Sequence, residues 1–105
     1  MNKKLKNESI DNLFLGILKL KNLEECYNFF EDLCTIHEIK SLAQRLDVAR
    51  LLIKGATYTE IGQETGASTA TISRVNRSLN YGCDGYELVF NRLKNEKIEE
   101  EREQK

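Results

Sequence analysis

Apolar positions along this chain recur at intervals of three and four residues and alternate nowhere, so the pattern predicts helices throughout and no strands. Ile10, Leu13, Phe14, Ile17 and Leu18 form the first stripe and predict a helix from Ser9 to Lys21, in which Gly16 would admit the close approach of another backbone. Leu23, Cys26, Tyr27, Phe30, Leu33 and Cys34 repeat the spacing over a second helix, Leu23 to Cys34, whose aromatic residues suit core packing better than a cofactor. Thr35 and Glu38 have the spacing of a capping box, and they open a long third helix that ends at Gly55. Its inward set is Ile39, Leu42, Leu46, Ala49, Leu52 and Ile53, a support for the segment 57–79. After Leu79 the loop NYGCDG leads to a last helix that Asp84 can cap, with Glu87 three residues on and Leu88, Val89, Phe90 and Leu93 as its apolar side. Residues 1–95 are thus expected to form one domain. Residues 96–105 form an acidic tail that is almost free of apolar side chains. Glutamates at a helix C-terminus oppose its macrodipole, so this tail is expected to fray or stay disordered.

Between the third and last helices, TYTEIGQETGASTATISRVNRSL (57–79) breaks into two short helices at Gly66. Thr57 and Glu60 make a second capping box. Ile61 and Gly62 face inward, the glycine small enough for a close crossing. Gly66 can take the left-handed conformation that stops one helix, and Ser68 can cap the next. Ile72, Val75 and Leu79 lie on one stripe of that helix; Thr69, Ala70, Ser73, Arg74 and Arg77 lie on the other side. From Gly66 to Gly82 there is no acidic residue. Two helices on a glycine turn, the second offering hydroxyls, a methyl and arginines, have the form of a helix-turn-helix. A helical hairpin that only packs would not need a face free of acid.

Composition narrows the picture. A net charge of −1 argues mildly against nucleic acid, but the tail from Glu96 to Glu103 concentrates glutamate far from the central motif. What a groove meets is the local field, since screening limits reach to about 8–10 Å. Cys26, Cys34 and Cys83 are odd in number and contain no CxxC pair, so neither a disulfide framework nor a metal site is expected. His37 reads as a solvated surface histidine. There are no paired carboxylates in a plausible pocket, no phosphate loop and no nucleophile beside a base, so enzyme activity is not expected. The amino-terminal residues are polar and no apolar run is long enough for a bilayer, which places the expected location in the cytoplasm. The first two helices lack an internal partner large enough to cover them, and a two-fold homodimer would supply one.

The segment from Thr35 to Leu79 resembles the Trp repressor family, more narrowly its YerC/YecD branch. The shared residues are TxxExxxLxxR (35–45), LLxxG ending at Gly55, and GAxxATIxRxxxSL (66–79). The resemblance implies an all-α, six-helix fold in an intertwined homodimer that binds operator DNA through two helix-turn-helix units. In the repressors tryptophan sits between the central support and the reading head. The matching positions here include Thr35, Arg45, Thr71, Arg74 and Ser78. Arg45 and Arg74 would converge on an anion, which guanidinium forks suit. Tryptophan-binding repressors carry glycine directly after the second arginine, where this chain has Val75, and they have one more residue between Gly55 and Ile61. Tryptophan is therefore not expected as corepressor. Thr35, Arg45, Arg74, Val75 and Ser78 mark a possible effector pocket with no assigned occupant, and no cofactor is expected.

The expectation is thus a dimeric, sequence-specific regulator of repressor type on a roughly palindromic operator in double-stranded DNA. Ser68, Thr69, Ala70, Thr71 and Ser73 would approach base edges, and Arg77 and Lys54 would hold phosphates. Arg74 is open between two roles: generic helix-turn-helix geometry turns it toward DNA, and the family's geometry turns it toward the ligand gap. The competing reading is a protein-interaction module of the transcription or replication machinery, for which the low net charge speaks.

Overall fold

A computed structural model describes the backbone of residues 1–103 and the side chains of residues 1–97. Among the described residues there are six helices and no strand, as expected. They are α1 (Glu8–Ile17), α2 (Leu23–Leu33), α3 (Ile36–Ile53), α4 (Tyr58–Thr65), α5 (Thr69–Tyr81) and α6 (Gly85–Glu103). Their beginnings follow from short polar side chains that take up free amides. Asn7 accepts from the Ile10 N–H at 2.8 Å and Asn22 from the Glu25 N–H at 2.9 Å. Neither asparagine belongs to the Ser/Thr-x-x-Glu pattern that marks the starts of α3 and α4. The capping box of α3 is complete: Thr35 Oγ1 accepts from Glu38 N–H at 3.1 Å, and Thr35 N–H donates to Glu38 Oε1 at 2.9 Å.

Two expectations about helix ends need correction. α1 stops at Ile17, not Lys21, and the chain closes there with short-range bonds from Lys19 to Gly16 and from Leu20 to Ile17, both 3.1 Å. Asp84 does not cap α6 through its side chain among the described residues. It sits at φ 59, and its carbonyl accepts from the Leu88 N–H at 3.1 Å. The backbone of α6 continues through Glu103, and the side chains of the tail from residue 98 on lie outside the described residues. Residues 104–105 lie outside the described residues.

The chain divides into two compact units, Met1–Ser41 and Leu42–Lys105. The first unit has no buried residue in α1 or α2, and Phe14, Leu15, Leu18, Leu23 and Tyr27 are exposed. Phe29 and Phe30 meet edge to face at 5.7 Å. An exposed Lys6–Asp11 pair at 2.9 Å contributes little to its stability.

The second unit holds the core. Val48, Ala49 and Leu51 of α3, Ile61 of α4, Ala67 of the turn, and Ile72 and Val75 of α5 are buried together. Leu52, Ala56, Leu79, Tyr86 and Phe90 pack around them. Each fully buried branched side chain contributes roughly 1.5–3 kcal/mol. On α3 the inward set differs from the expected one: Leu42, Leu46 and Ile53 are 49, 38 and 52 % exposed, and Val48 and Leu51 take their place. The helix has two apolar stripes, and a single-stripe reading merges them.

Candidate nucleic-acid interface

The core holds two helices at a glycine turn. Thr57 Oγ1 accepts from Glu60 N–H at 3.2 Å and its hydroxyl donates to the Glu60 carboxylate at 3.0 Å, which fixes the start of α4. Gly66 ends α4 at φ 74, a left-handed backbone that branched residues resist, and its N–H donates to the Gly62 carbonyl at 2.9 Å. Ser68 then starts α5 by accepting from Thr71 N–H at 3.2 Å, while its own hydroxyl donates to Thr71 Oγ1 at 3.1 Å. A methyl group on Gly62 would only reach ordinary contact with the Ala67 carbonyl at 3.6 Å, so the crossing does not demand glycine there.

Burial divides α5 into two sides. Ile72 and Val75 point into the core, whereas Ser68, Thr69, Ala70, Ser73, Arg74 and Arg77 are exposed and Thr71 is half-buried. Lys54 is exposed just after α3. The exposed side of α5 therefore presents hydroxyls, one methyl and two guanidinium groups, with no carboxylate anywhere between Gly66 and Gly82. Among the described residues the two ion pairs are Lys6–Asp11 and Arg50–Asp47, the latter long at 3.9 Å, so the charges of Arg45, Arg74 and Arg77 are not neutralised by carboxylates there.

Arg74 lies between two recesses. One, of about 310 Å³, is lined by Arg45, Ala70, Thr71 and Arg74. The other, of about 390 Å³, is lined by Arg74, Arg77, Ser78, Tyr81 and Gly82. The residues considered for an effector are thus spread. Arg45 and Arg74 share a recess, and Ser78 belongs to the second one. Val75, 2 % exposed, lies in the core and not among the lining residues, and Thr35 is taken up in the cap of α3. Tyr81 is an addition to the expected set. It stands four residues after Arg77 and seven after Arg74, a helical spacing legible in the sequence, and the residue is 86 % exposed.

The model of the Trp repressor protein family matches residues 8–94, which is most of the chain and includes both helices of the motif. This protein belongs to the Trp repressor family. YerC of Bacillus subtilis strain 168, an uncharacterized protein, is 62 % identical over 96 residues, spanning 91 % of this chain and 92 % of YerC. A solved structure of a candidate Trp repressor from Staphylococcus aureus is 55 % identical, with a TM-score of 0.86 over 90 % of this chain and 95 % of that one. A TrpR-like protein from Eubacterium eligens is 62 % identical, with a TM-score of 0.85 over 88 % and 95 % of the two chains. The resemblance read from residues 35–79 therefore extends through α1, α2 and the first half of α6. The Trp repressor family is one of DNA-binding regulators, not of enzymes. None of its helices here, among the described residues, is long and apolar enough to cross a membrane.

Proposed function

We propose that this Trp repressor family member is a sequence-specific DNA-binding regulator of repressor type, which acts as a homodimer on a roughly palindromic operator without tryptophan. One observation carries the reading: α5 buries Ile72 and Val75 and turns an acid-free, cationic side outward. In the major groove Ser68, Thr69, Ala70, Thr71 and Ser73 read base edges, with Ala70 suited to a thymine methyl. Arg77 and Lys54 hold phosphates and set register. Tyr81, beside Arg77, adds a phenol hydroxyl that can donate to the same backbone.

A dimer is favoured by the bare apolar surface of α1, α2 and the second stripe of α3, which a second copy would cover. Independence from tryptophan is favoured by Val75. Its side chain fills core space with Val48, Ile61 and Ile72 that a glycine would leave open. Selection of bound DNA from random duplexes tests the reading. The expected product is a palindrome with half-sites about 34 Å apart. Thr69→Glu or Ala70→Glu is expected to abolish binding and leave the dimer intact. A selection that enriches no palindrome refutes the proposal.

A further inference from the structure

Among the described residues, every side-chain hydrogen bond but one joins residues no more than five apart, and most of them cap helices. The exception is Gln44 of α3, whose side-chain amide donates to the carbonyl of Thr65 at 3.1 Å, 21 residues further on. Thr65 is the last residue of α4, so its carbonyl has lost the helical partner it would otherwise meet. The same residue uses its hydroxyl twice: it donates to the Ile61 carbonyl at 2.7 Å and accepts from the Ala67 N–H at 3.1 Å. Thr65 thereby bridges the left-handed Gly66 on both sides, and Gln44 ties that bridge to α3.

The remaining hold of α3 on the motif is apolar. Val48, Ala49 and Leu51 pack with Ile61, Ala67, Ile72 and Val75, an attraction that is strong but has no direction. Such a contact tolerates small slides and rotations. A helix that reads base edges tolerates them poorly, since recognition groups must be held to within about 0.5 Å of productive geometry. The single directional bond between α3 and the turn is the element able to set that angle.

We propose that Gln44 is a positioning residue for DNA reading: through Thr65 it fixes the Gly66 turn, and with it the angle at which α5 meets the duplex. The role rests on the DNA-binding function proposed for this chain. Gln44 is half-buried, and Met is close to it in length but has no donor. Gln44→Met is expected to weaken binding to the selected duplex about five- to tenfold, the effect of one unmade hydrogen bond. Binding to an unrelated duplex and the salt dependence are expected to stay unchanged, because no phosphate contact is lost. Amide exchange is expected to quicken at Gly66 and Ala67 while Val48, Ile72 and Val75 keep their protection. Gln44→Asn, too short to reach Thr65, is the second variant should Met disturb packing, and it is expected to behave in the same way.

Unchanged exchange at Ala67 in both variants overturns the clamp. Exchange that quickens equally across the core shows a merely structural role and overturns the positioning claim, as does faster turn exchange with undiminished affinity for the selected duplex. If the unaltered protein selects no duplex, the DNA reading itself fails and the positioning role falls with it. The exchange at Gly66 and Ala67 still separates that failure from failure of the clamp.

Discussion

Neutralising Arg77 should change how binding responds to salt by an amount set by the site. Arg77 is exposed on the acid-free side of α5, and among the described residues no carboxylate pairs with it. In the proposed dimer it would occur twice, as would Lys54. If each of these cations rests on a phosphate, the logarithm of the binding constant falls against the logarithm of salt with a slope of about −3.6. Arg77→Gln removes two contacts, so the slope becomes about −1.8, and affinity in 0.1 M salt drops roughly 60-fold. Fluorescence anisotropy of a labelled operator duplex between about 50 and 200 mM salt measures both quantities. The loss is expected to be similar on operator and non-operator duplexes, because a phosphate contact carries no sequence information. A slope that stays at the starting value with Arg77→Gln refutes the placement of the carboxyl half of α5 against the backbone. The same measurement on Arg74→Gln separates its two roles. A lost increment of slope places that guanidinium on DNA, and an unchanged slope leaves it to the recess it shares with Arg45.

Single sites give further expected outcomes. Val75→Gly removes a fully buried side chain and adds a glycine to a helix interior, so it is expected to destabilise the protein by about 3–4 kcal/mol in denaturant unfolding without creating tryptophan binding by calorimetry. Gly82 ends α5 where an added Cβ would collide with the Ser78 carbonyl oxygen, so Gly82→Ala is expected to lower stability by about 1–3 kcal/mol, read as a fall in Tm. Glu38 has its carboxyl held below the usual carboxylate range by the Thr35 backbone N–H and then by the Thr35 hydroxyl. Its folded pKa is depressed, so its contribution is present above the ordinary carboxylate pKa and is lost as pH falls through the folded value. Glu38→Gln can still cap α3 but cannot titrate there. It is expected to flatten the acid limb of Tm against pH, and an unchanged limb counts against the cap.

The parts of this molecule that can be read from sequence are those governed by neighbours along the chain. Thr57, Gly66 and Ser68 announce the ends of two short helices because capping and left-handed turns depend on local side chains, and each residue takes the role expected of it. Ile61, Ile72 and Val75 are identifiable because a short helix packed on one side shows one stripe. α3 defeats the same reasoning. Its residues 42, 46 and 53 form one apolar stripe and 48, 51 and 52 another, and periodicity cannot say which of two stripes the chain itself will cover. The asparagine caps at Asn7 and Asn22 escape a pattern restricted to Ser/Thr-x-x-Glu, although the physical requirement is only an oxygen at the right reach. Gln44 carries no signal at all, since its partner is a backbone carbonyl and any residue could supply one.

The same distinction bears on the candidate site. The exposed side of α5 can be read because it is the complement of the buried stripe, so locating Ile72 and Val75 also locates Thr69, Ala70, Ser73, Arg74 and Arg77. The expected effector set has no such local signature, since it draws on Thr35, Arg45 and α5, whose arrangement depends on contacts distant in sequence. Arg45 and Arg74 share a recess, and Val75 is drawn into the core. The branched side chain at 75 strengthens the attachment of α5 to α3 and fills core space a glycine would leave open. Gln44 tightens the same attachment at its other end, at the turn. Core packing at Val75 and the bond from Gln44 to Thr65 together hold α5 and its turn from within the chain, one by an attraction without direction and the other by a bond that has one.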